Sequence, residues 1–347
     1  MQPALLYDPI FLEHDTGAHP ENAGRVRAVL HRLESEGLLD RLERPEFAPA
    51  KLEDVEAVHD PDYLALLREH AARGGGRLTA DTPFSRRSWD AALAASGAVV
   101  AAVEQVLNGS VPSAFALTRP PGHHACPEHG MGFCLINHAA VAARRAVQQR
   151  GLERVLLVDF DVHHGNGTQD IFYDDPSVLY FSMHQYPAYP GTGGAAEVGT
   201  GAGVGATVNV PLPAETDDQG FLLALQEVLV PIARRYRPEL ILVSAGYDAH
   251  WSNTAYLNSI RMGATVTGFA QWTALLQDLA AELCDGRIAF MLEGGYDPEA
   301  LGWSVAATLR VLLGEEAPDP LGPPPYGQGP DVAPLIASIR RGHGLGE

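Results

Sequence analysis

Acidic and imidazole side chains follow several short apolar segments of this chain, beginning with VDFDVHHGNG at Val158–Gly167. Asp161 and His163 are two residues apart, so in an extended segment both side chains leave the same face. A further carboxylate, Asp248, lies in LILVSAGYDAH, shortly after the apolar run that begins at Leu240. Together these three residues can supply metal ligands and leave a coordination position open, which is typical of a catalytic zinc site. The alternative interpretation of the first motif is a helix-capping aspartate beside solvated histidines.

Two adjacent histidines, His123 and His124, lie in the turn sequence RPPGHHA after another apolar segment. Hydrolysis beside a metal ion needs a group that moves protons, and imidazole serves that purpose near neutral pH. Asp159 and Asn166 are placed so that each can orient one imidazole through its second nitrogen. A histidine pair exposed on the surface is the alternative.

The third element is Tyr296, in the sequence LEGGYD. A tyrosine after a glycine turn at the end of a strand can point its phenol into a crevice and donate to a developing oxyanion. Taken alone, such a tyrosine more often packs as part of a wall.

These motifs need elements that bring them together, and the sequence provides strands that alternate with helices. This alternation predicts a parallel sheet with helices on both faces, and parallel strands bind ligands beyond their carboxyl ends. Five apolar runs are predicted as buried strands: Ala114–Leu117, Val155–Phe160, Val178–Phe181, Leu240–Ser244 and Ile288–Leu292. Three stretches with apolar residues at helical spacing are predicted as helices: Asn137–Arg150, Asp217–Arg235 and Met262–Cys284.

A single domain over residues 1–347 fits this pattern better than two domains. From about residue 315 onward, a Pro/Gly-rich arm is expected to lead to a short terminal helix at Val332–Arg341. The alanine-rich segment Ala91–Val106 is predicted to be a buried or half-buried helix, too short and too polar to span a bilayer.

The charge balance limits the classes of partner. Lys and Arg number 24 and Asp and Glu 43 in the 347 residues, so the net charge is −19. Nucleic acid and acidic membranes are therefore disfavoured as partners, whereas cationic substrates are attracted.

The cysteines and the N-terminus bear on location. Three cysteines, Cys126, Cys134 and Cys284, cannot form a disulfide framework, and the N-terminal sequence lacks the features of a secretory signal. We expect a cytoplasmic location.

The motifs taken together resemble the histone deacetylase superfamily, in particular its bacterial class II-like and acetylpolyamine amidohydrolase members. The resemblance extends from about Tyr7 to Leu313 and implies an arginase/deacetylase-like α/β fold, a three-layer αβα sandwich on a mainly parallel sheet. Five spaced motifs carry it: Arg119–Ala125, Gly132–Cys134, Asp159–Gln169, Ser244–Asp248 and Glu293–Tyr296.

The resemblance implies roles for the metal site and the histidines. The positions of the family's metal ligands are Asp161, His163 and Asp248. The expected ion is one Zn²⁺ per chain, with Fe²⁺ as the alternative. By the same match, Asp159 partners His123, and His124 acts as general base and acid supported by Asn166. Asparagine at that position favours the class II-like branch.

Other matched positions surround the predicted tunnel for an acyl-lysine side chain. Its walls correspond to Gly132, Phe133 and Tyr189. Tyr296 matches the tyrosine that stabilises the transition state, Asp81 matches a rim aspartate that binds the substrate backbone, and Arg25 matches the arginine of an internal acetate channel.

The resemblance also implies structural monovalent cations, normally K⁺. The first site would use Asp159, Asp161, His163, Ser182 and the Met183 carbonyl. The second would use carbonyls near Phe172, Asp175 and Val178.

Some positions depart from the family pattern. Cys126 and His129 are not family residues, and surface substitution is the simplest interpretation, although a metal or redox site with Cys134 is the alternative. Polyamine deacetylases place a glutamate gatekeeper in the segment where this chain has Ala255. We therefore expect acyl-lysine in proteins or peptides as substrate, with acyl-polyamines or other small amides as the alternative. The sequence is compatible with either a monomer or a homo-oligomer.

Three other functions fit the sequence less well than deacetylation. Arginases and agmatinases need further carboxylates to bridge two manganese ions, but His250 stands two residues after Asp248. The glycine run Gly199–Gly205 joins no clear strand to a helix, so it predicts a turn rather than a nucleotide site. A non-catalytic protein that binds acyl-lysine would not need the complete set of catalytic residues.

Overall fold

The computed structural model describes residues 1–257 and 259–346. Among these residues, seven parallel strands form a central sheet in the order β1-β4-β9-β8-β5-β6-β7. Its strands are β1 (Ala4–Leu6), β4 (Ser113–Ala116), β5 (Val155–Asp159), β6 (Val178–Gln185), β7 (Thr207–Leu212), β8 (Leu240–Ala245) and β9 (Ile288–Leu292). An antiparallel hairpin pairs β2 (Gly75–Arg77) with β3 (Pro83–Ser85).

Helices cover both faces of the sheet. The α-helices are α1 (Ala23–Ser35), α2 (Leu52–Glu56), α3 (Pro61–Ala72), α4 (Ser88–Leu107), α5 (His138–Arg150), α6 (Asn166–Phe172), α7 (Asp218–Ala224), α8 (Val230–Tyr236), α9 (Val266–Leu283), α10 (Pro298–Leu312) and α11 (Ala333–Gly342). Leu156 and Val158 of β5 pack in the same apolar cluster as α1, α9 and α10. Val155 and Leu157 face the opposite cluster with α3, α4 and α5. The predicted three-layer αβα sandwich is confirmed.

The five predicted strands are present, with bounds that differ by a few residues. The largest difference is β6, which continues to Gln185 because its last four residues pair with β7. Two edge strands, β1 and β7, were missed. β1 spans only three residues and β7 contains Pro211, so neither gives a clear strand pattern.

The predicted helices also form, with local corrections. Helix α9 begins at Val266 rather than Met262 because Thr265 caps it, its side chain accepting from the Gly268 N–H. The predicted helix Asp217–Arg235 contains a π-helical turn, Leu225–Leu229, between α7 and α8.

Helix α4 is longer than the predicted Ala91–Val106. It has 20 residues and contains an 18-residue window with a mean hydropathy of 1.4, so by length and composition it could cross a membrane, which corrects the expectation from the sequence. However, 61% of that window is buried inside the protein. It packs on α5, β4 and β9, as a core helix does.

The Pro/Gly-rich arm after α10 follows the surface and ends in α11, where Ile336 and Ile339 are buried. Within this arm, the Gly322 carbonyl accepts a hydrogen bond of 3.0 Å from the Trp251 indole N–H. The arm therefore contacts the loop that follows Asp248.

Candidate active site

Asp161, His163 and Asp248 meet at the carboxyl edge of the sheet, with their ligand atoms within 4.8 Å of one another. Asp161 and His163 follow β5, and Asp248 follows the neighbouring β8. The His163 Nδ1 atom lies 3.1 Å from Asp161 Oδ1 and 3.2 Å from Asp248 Oδ2. A side chain at Gly246 or Gly294 would collide with these carboxylates, which explains the two glycines.

The chemistry of this triad fits a metal cation. Backbone groups hold both carboxylates, because Gly294 N–H donates to Asp161 Oδ2 over 2.8 Å and Val162 N–H donates to Asp248 Oδ1 over 2.9 Å. Although burial lowers the pKa of His163, its hydrogen bonds to both carboxylates raise it to about 9. The negative potential of the two carboxylates, which favours a proton on His163, also favours a metal cation bound between the three side chains.

The two histidines stand beside the triad, with ring centroids 4.0 Å apart. His123 Nδ1 is 3.0 Å from Asp159 Oδ2, and His124 Nδ1 is 2.8 Å from Asn166 Oδ1. Burial lowers the pKa of His123, but Asp159 and Asp161 raise it to about 10. Burial, followed by the charge on His123, holds the pKa of His124 well below its usual value. His124 is thus neutral and able to accept a proton.

Several neighbours fix the dyad in place. The Tyr180 hydroxyl donates to Asp159 Oδ2 over 3.0 Å. Gly132, at φ +54°, leaves room for the His124 ring, which a side chain there would strike. Sequence reasoning missed Tyr180 because it lies within a buried strand and gives no polar signal.

Cys126 is buried, so its interpretation as a surface substitution was wrong. The Asn166 side-chain amide donates to Cys126 Sγ over 3.2 Å and to Met131 Sδ over 3.5 Å. These two sulfur acceptors turn the Asn166 carbonyl oxygen towards His124. His129 is exposed, as expected of a surface position.

Tyr296 lies after β9 in a turn that Arg25 holds. Arg25 donates through Nε to the Gly295 carbonyl over 2.6 Å and through Nη2 to the Glu293 carbonyl over 2.5 Å. Its guanidinium carbon lies 4.9 Å from the centroid of the Tyr296 ring. Burial, with Asp248 nearby, raises the pKa of Tyr296 well above its usual value, so the phenol keeps its proton and can donate.

A cavity of about 170 Å³ opens above these groups. The Tyr189 ring stands perpendicular to His124 with centroids 5.2 Å apart, and the Phe133 ring stands perpendicular to Tyr296 at 5.8 Å. The residues that line it are Asp81, His124, Gly132, Phe133, His163, Tyr189, Leu257, Ser259 and Tyr296. Leu257 and Ser259 were not predicted, because nothing in a loop sequence marks them as lining residues.

The residues predicted to bind monovalent cations lie in two places. Asp159 and Ser182 face each other in the register of β5 and β6, beside Met183 and behind the metal triad. Phe172 ends α6, Asp175 lies in the connection that follows, and Val178 begins β6 at its amino end.

Known proteins of similar sequence and structure complete the description. Residues 19–312 match the histone deacetylase domain. The chain is 43% identical over 320 residues to histone deacetylase 10, chloroplastic, of Oryza sativa subsp. japonica, covering 87% of this chain and 71% of the relative. It is 40% identical over 315 residues to the polyamine deacetylase HDAC10 of Homo sapiens, covering 87% and 46%. The crystal structure of the HDA15 HD domain superposes with a TM-score of 0.89 and 34% identity, over 99% of this chain and 94% of that one.

The fold and the site define a deacetylase of the arginase/deacetylase type. The chain belongs to the histone deacetylase family, and the predicted resemblance is confirmed.

Proposed function

We propose that this deacetylase is a zinc-dependent amide hydrolase that removes acetyl or other short acyl groups from lysine side chains of proteins or peptides. The observation that carries the proposal is a cavity lined by His124, His163 and Tyr296, in which His163 belongs to a group of three side chains able to hold a metal ion. A neutral imidazole, a protonated phenol and one of the three metal-binding side chains thus line the space where an acyl amide would enter.

Asp161, His163 and Asp248 would hold one Zn²⁺ per chain, and Fe²⁺ is the alternative ion. Two carboxylates and one imidazole suit either ion, and they leave positions open for substrate. When bound, such an ion polarises the acyl carbonyl and lowers the pKa of a water molecule to about 7.

The side chains of the protein supply the proton transfers. His124 presents Nε2, because Nδ1 faces Asn166 Oδ1, and takes a proton from the attacking water. It can return that proton to the leaving amine. His123, paired with Asp159, adds positive charge behind the site. Tyr296 donates to the oxyanion that forms when water adds to the carbonyl.

The shape of the cavity favours a slender aliphatic chain. Phe133 and Tyr189 provide aromatic walls, and Asp81 stands at the mouth, where it can accept from a substrate backbone N–H. An acyl-polyamine is the second candidate, since one relative is named a polyamine deacetylase. Ala255 in place of the gatekeeper glutamate and the peptide-binding position of Asp81 favour acyl-lysine.

The proposal includes the parts that follow from family membership. K⁺ would support the loop through Asp159 and Ser182 and, at the second site, through Phe172, Asp175 and Val178. Arg25 would line an outlet for acetate. We further propose that the whole chain works as one domain in the cytoplasm, without nucleic acid or membrane as partner.

The test is an assay of metal-defined enzyme against matched acyl-lysine peptides and acyl-polyamines. We expect one zinc ion per chain, inhibition by a hydroxamate that chelates the ion, and a higher kcat/KM for acetyl-lysine peptide than for acetylspermidine. Two ions per chain would contradict the single-ion site. A much higher kcat/KM for the polyamine than for the peptide would contradict the predicted preference for acyl-lysine.

A further inference from the structure

Asn253 is a fully buried amide that connects the turn carrying Tyr296 to the loop carrying Asp248. Its Oδ1 accepts hydrogen bonds from the backbone N–H groups of Tyr296, over 2.7 Å, and Asp297, over 3.0 Å. Its Nδ2 donates to the carbonyls of Tyr247, over 3.2 Å, and His250, over 3.4 Å. One side chain thus uses both ends to join two loops at the edge of the site.

The Tyr296 turn needs such an acceptor. The preceding Gly295 has φ +118°, a conformation open to glycine, so the backbone there has little intrinsic rigidity. Asp297, on the other side, begins α10 by accepting from Glu299 and Ala300 with its side chain. The Tyr296 N–H is buried and the Asp297 N–H is partly buried, and Asn253 Oδ1 accepts from both.

We infer that Asn253 is a positioning residue that holds Tyr296 for oxyanion stabilisation, an inference that rests on the function proposed above. The contribution of a donor to an oxyanion depends on its place within a fraction of an ångström, and a shift of 1 Å lowers a rate by about 10²-fold. Arg25 supports the turn through carbonyl groups, whereas Asn253 supports it through N–H groups, so neither can replace the other.

The test compares Asn253→Ala with Asn253→Asp. Alanine removes the acceptor, so we expect kcat on acetyl-lysine peptide to fall by about tenfold or more, with KM and metal content nearly unchanged. Aspartate keeps the two acceptor bonds but loses the two donor bonds to Tyr247 and His250, so it should keep more of kcat than alanine does. Asn209→Ala is the matched control, because Asn209 is buried and donates to Gln169 and Glu197 instead.

A double-mutant cycle separates positioning from general loss of structure. If Asn253 acts through Tyr296, Asn253→Ala should change kcat by less than about twofold once Tyr296→Phe is present. The same fold loss in both backgrounds would contradict the inference, as would loss of metal, which would indicate an effect through Asp248. Should the alanine variant not fold, the cycle is run with Asn253→Asp, which keeps the two acceptor bonds. A loss of kcat that disappears once Tyr296→Phe is present, or no loss at all, supports the positioning role, and an equal fold loss in both backgrounds contradicts it.

The same measurements distinguish this inference from the proposed function. An unimpaired Tyr296→Phe enzyme contradicts the oxyanion role itself, whatever Asn253→Ala does. An impaired Tyr296→Phe enzyme beside an unimpaired Asn253→Ala enzyme contradicts the positioning role alone.

Discussion

The floor and the mouth of the cavity are built from different parts of the fold. At the floor, Asp161 and Asp248 follow adjacent strands directly, are fully buried and are held by backbone N–H groups. At the mouth, Asp81 lies in the turn between β2 and β3 and Tyr189 in the loop after β6, and both are half-buried. The sheet thus fixes the groups that we propose carry out the reaction, whereas loops present the groups that we propose select the substrate.

The largest effect is expected at the floor, from Asp248→Ala. Removing one of the three proposed ligands would leave too few protein groups to retain the ion, so bound metal and deacetylase activity should both be lost. Metal analysis and activity measured on the same preparation check this. Asp60→Ala, which alters an aspartate that caps α3 away from the cavity, should keep both. Full metal occupancy in Asp248→Ala would show that the ion binds elsewhere.

His124→Ala should have the next largest effect. It removes the proton acceptor but none of the three ligands, so kcat should fall by about 10²–10⁴-fold while metal is retained. The exposed His129 offers a control, since His129→Ala should leave kcat unchanged. A His124→Ala enzyme with normal turnover would assign the proton transfer to another group.

Tyr296→Phe removes a single hydroxyl from the side of the floor. Since loss of one oxyanion donor lowers kcat by about 10²–10³-fold, we expect that range with KM, metal content and thermal unfolding nearly unchanged. Steady-state kinetics on an acetyl-lysine peptide provide the measurement. Near-normal kcat would mean that Tyr296 is part of the cavity wall only.

The difference between floor and mouth also explains how much could be predicted from the sequence. The floor was predictable because Asp161, His163 and Asp248 come shortly after apolar runs that the sequence predicts as buried strands, and the ends of such parallel strands converge. The sandwich itself followed from the same alternation. Short motifs at fixed spacing then identified His123, His124 and Tyr296.

Supporting residues could not be predicted in the same way. Tyr180 and Asn253 lie far along the chain from the groups they hold, and only the folded structure shows the hydrogen bonds that connect them. Cys126 was misjudged for a related reason, because its burial follows from packing near Asn166 rather than from the polar sequence around it. Loop residues such as Leu257 depend on a loop path that periodicity does not encode.

The smallest effect is expected at the mouth, from Asp81→Asn. Asp81 Oδ1 accepts from the hydroxyls of Thr79 and Thr82, and we propose that its carboxylate also accepts from a substrate N–H. An amide is a weaker acceptor than a carboxylate, and a hydrogen bond to a charged group contributes about 1.5–3 kcal/mol, so KM for an acetyl-lysine peptide should rise by roughly tenfold or more. Because Asp81 stands away from the reacting carbonyl, kcat should change little.

The control for Asp81→Asn is a matched substrate, a small acetyl-lysine analogue without flanking peptide bonds, and its KM should be unaffected. An equal rise in KM for both substrates would show that Asp81 shapes the cavity instead of binding the peptide backbone. In that case the cavity would select substrates only through wall residues such as Phe133 and Tyr189.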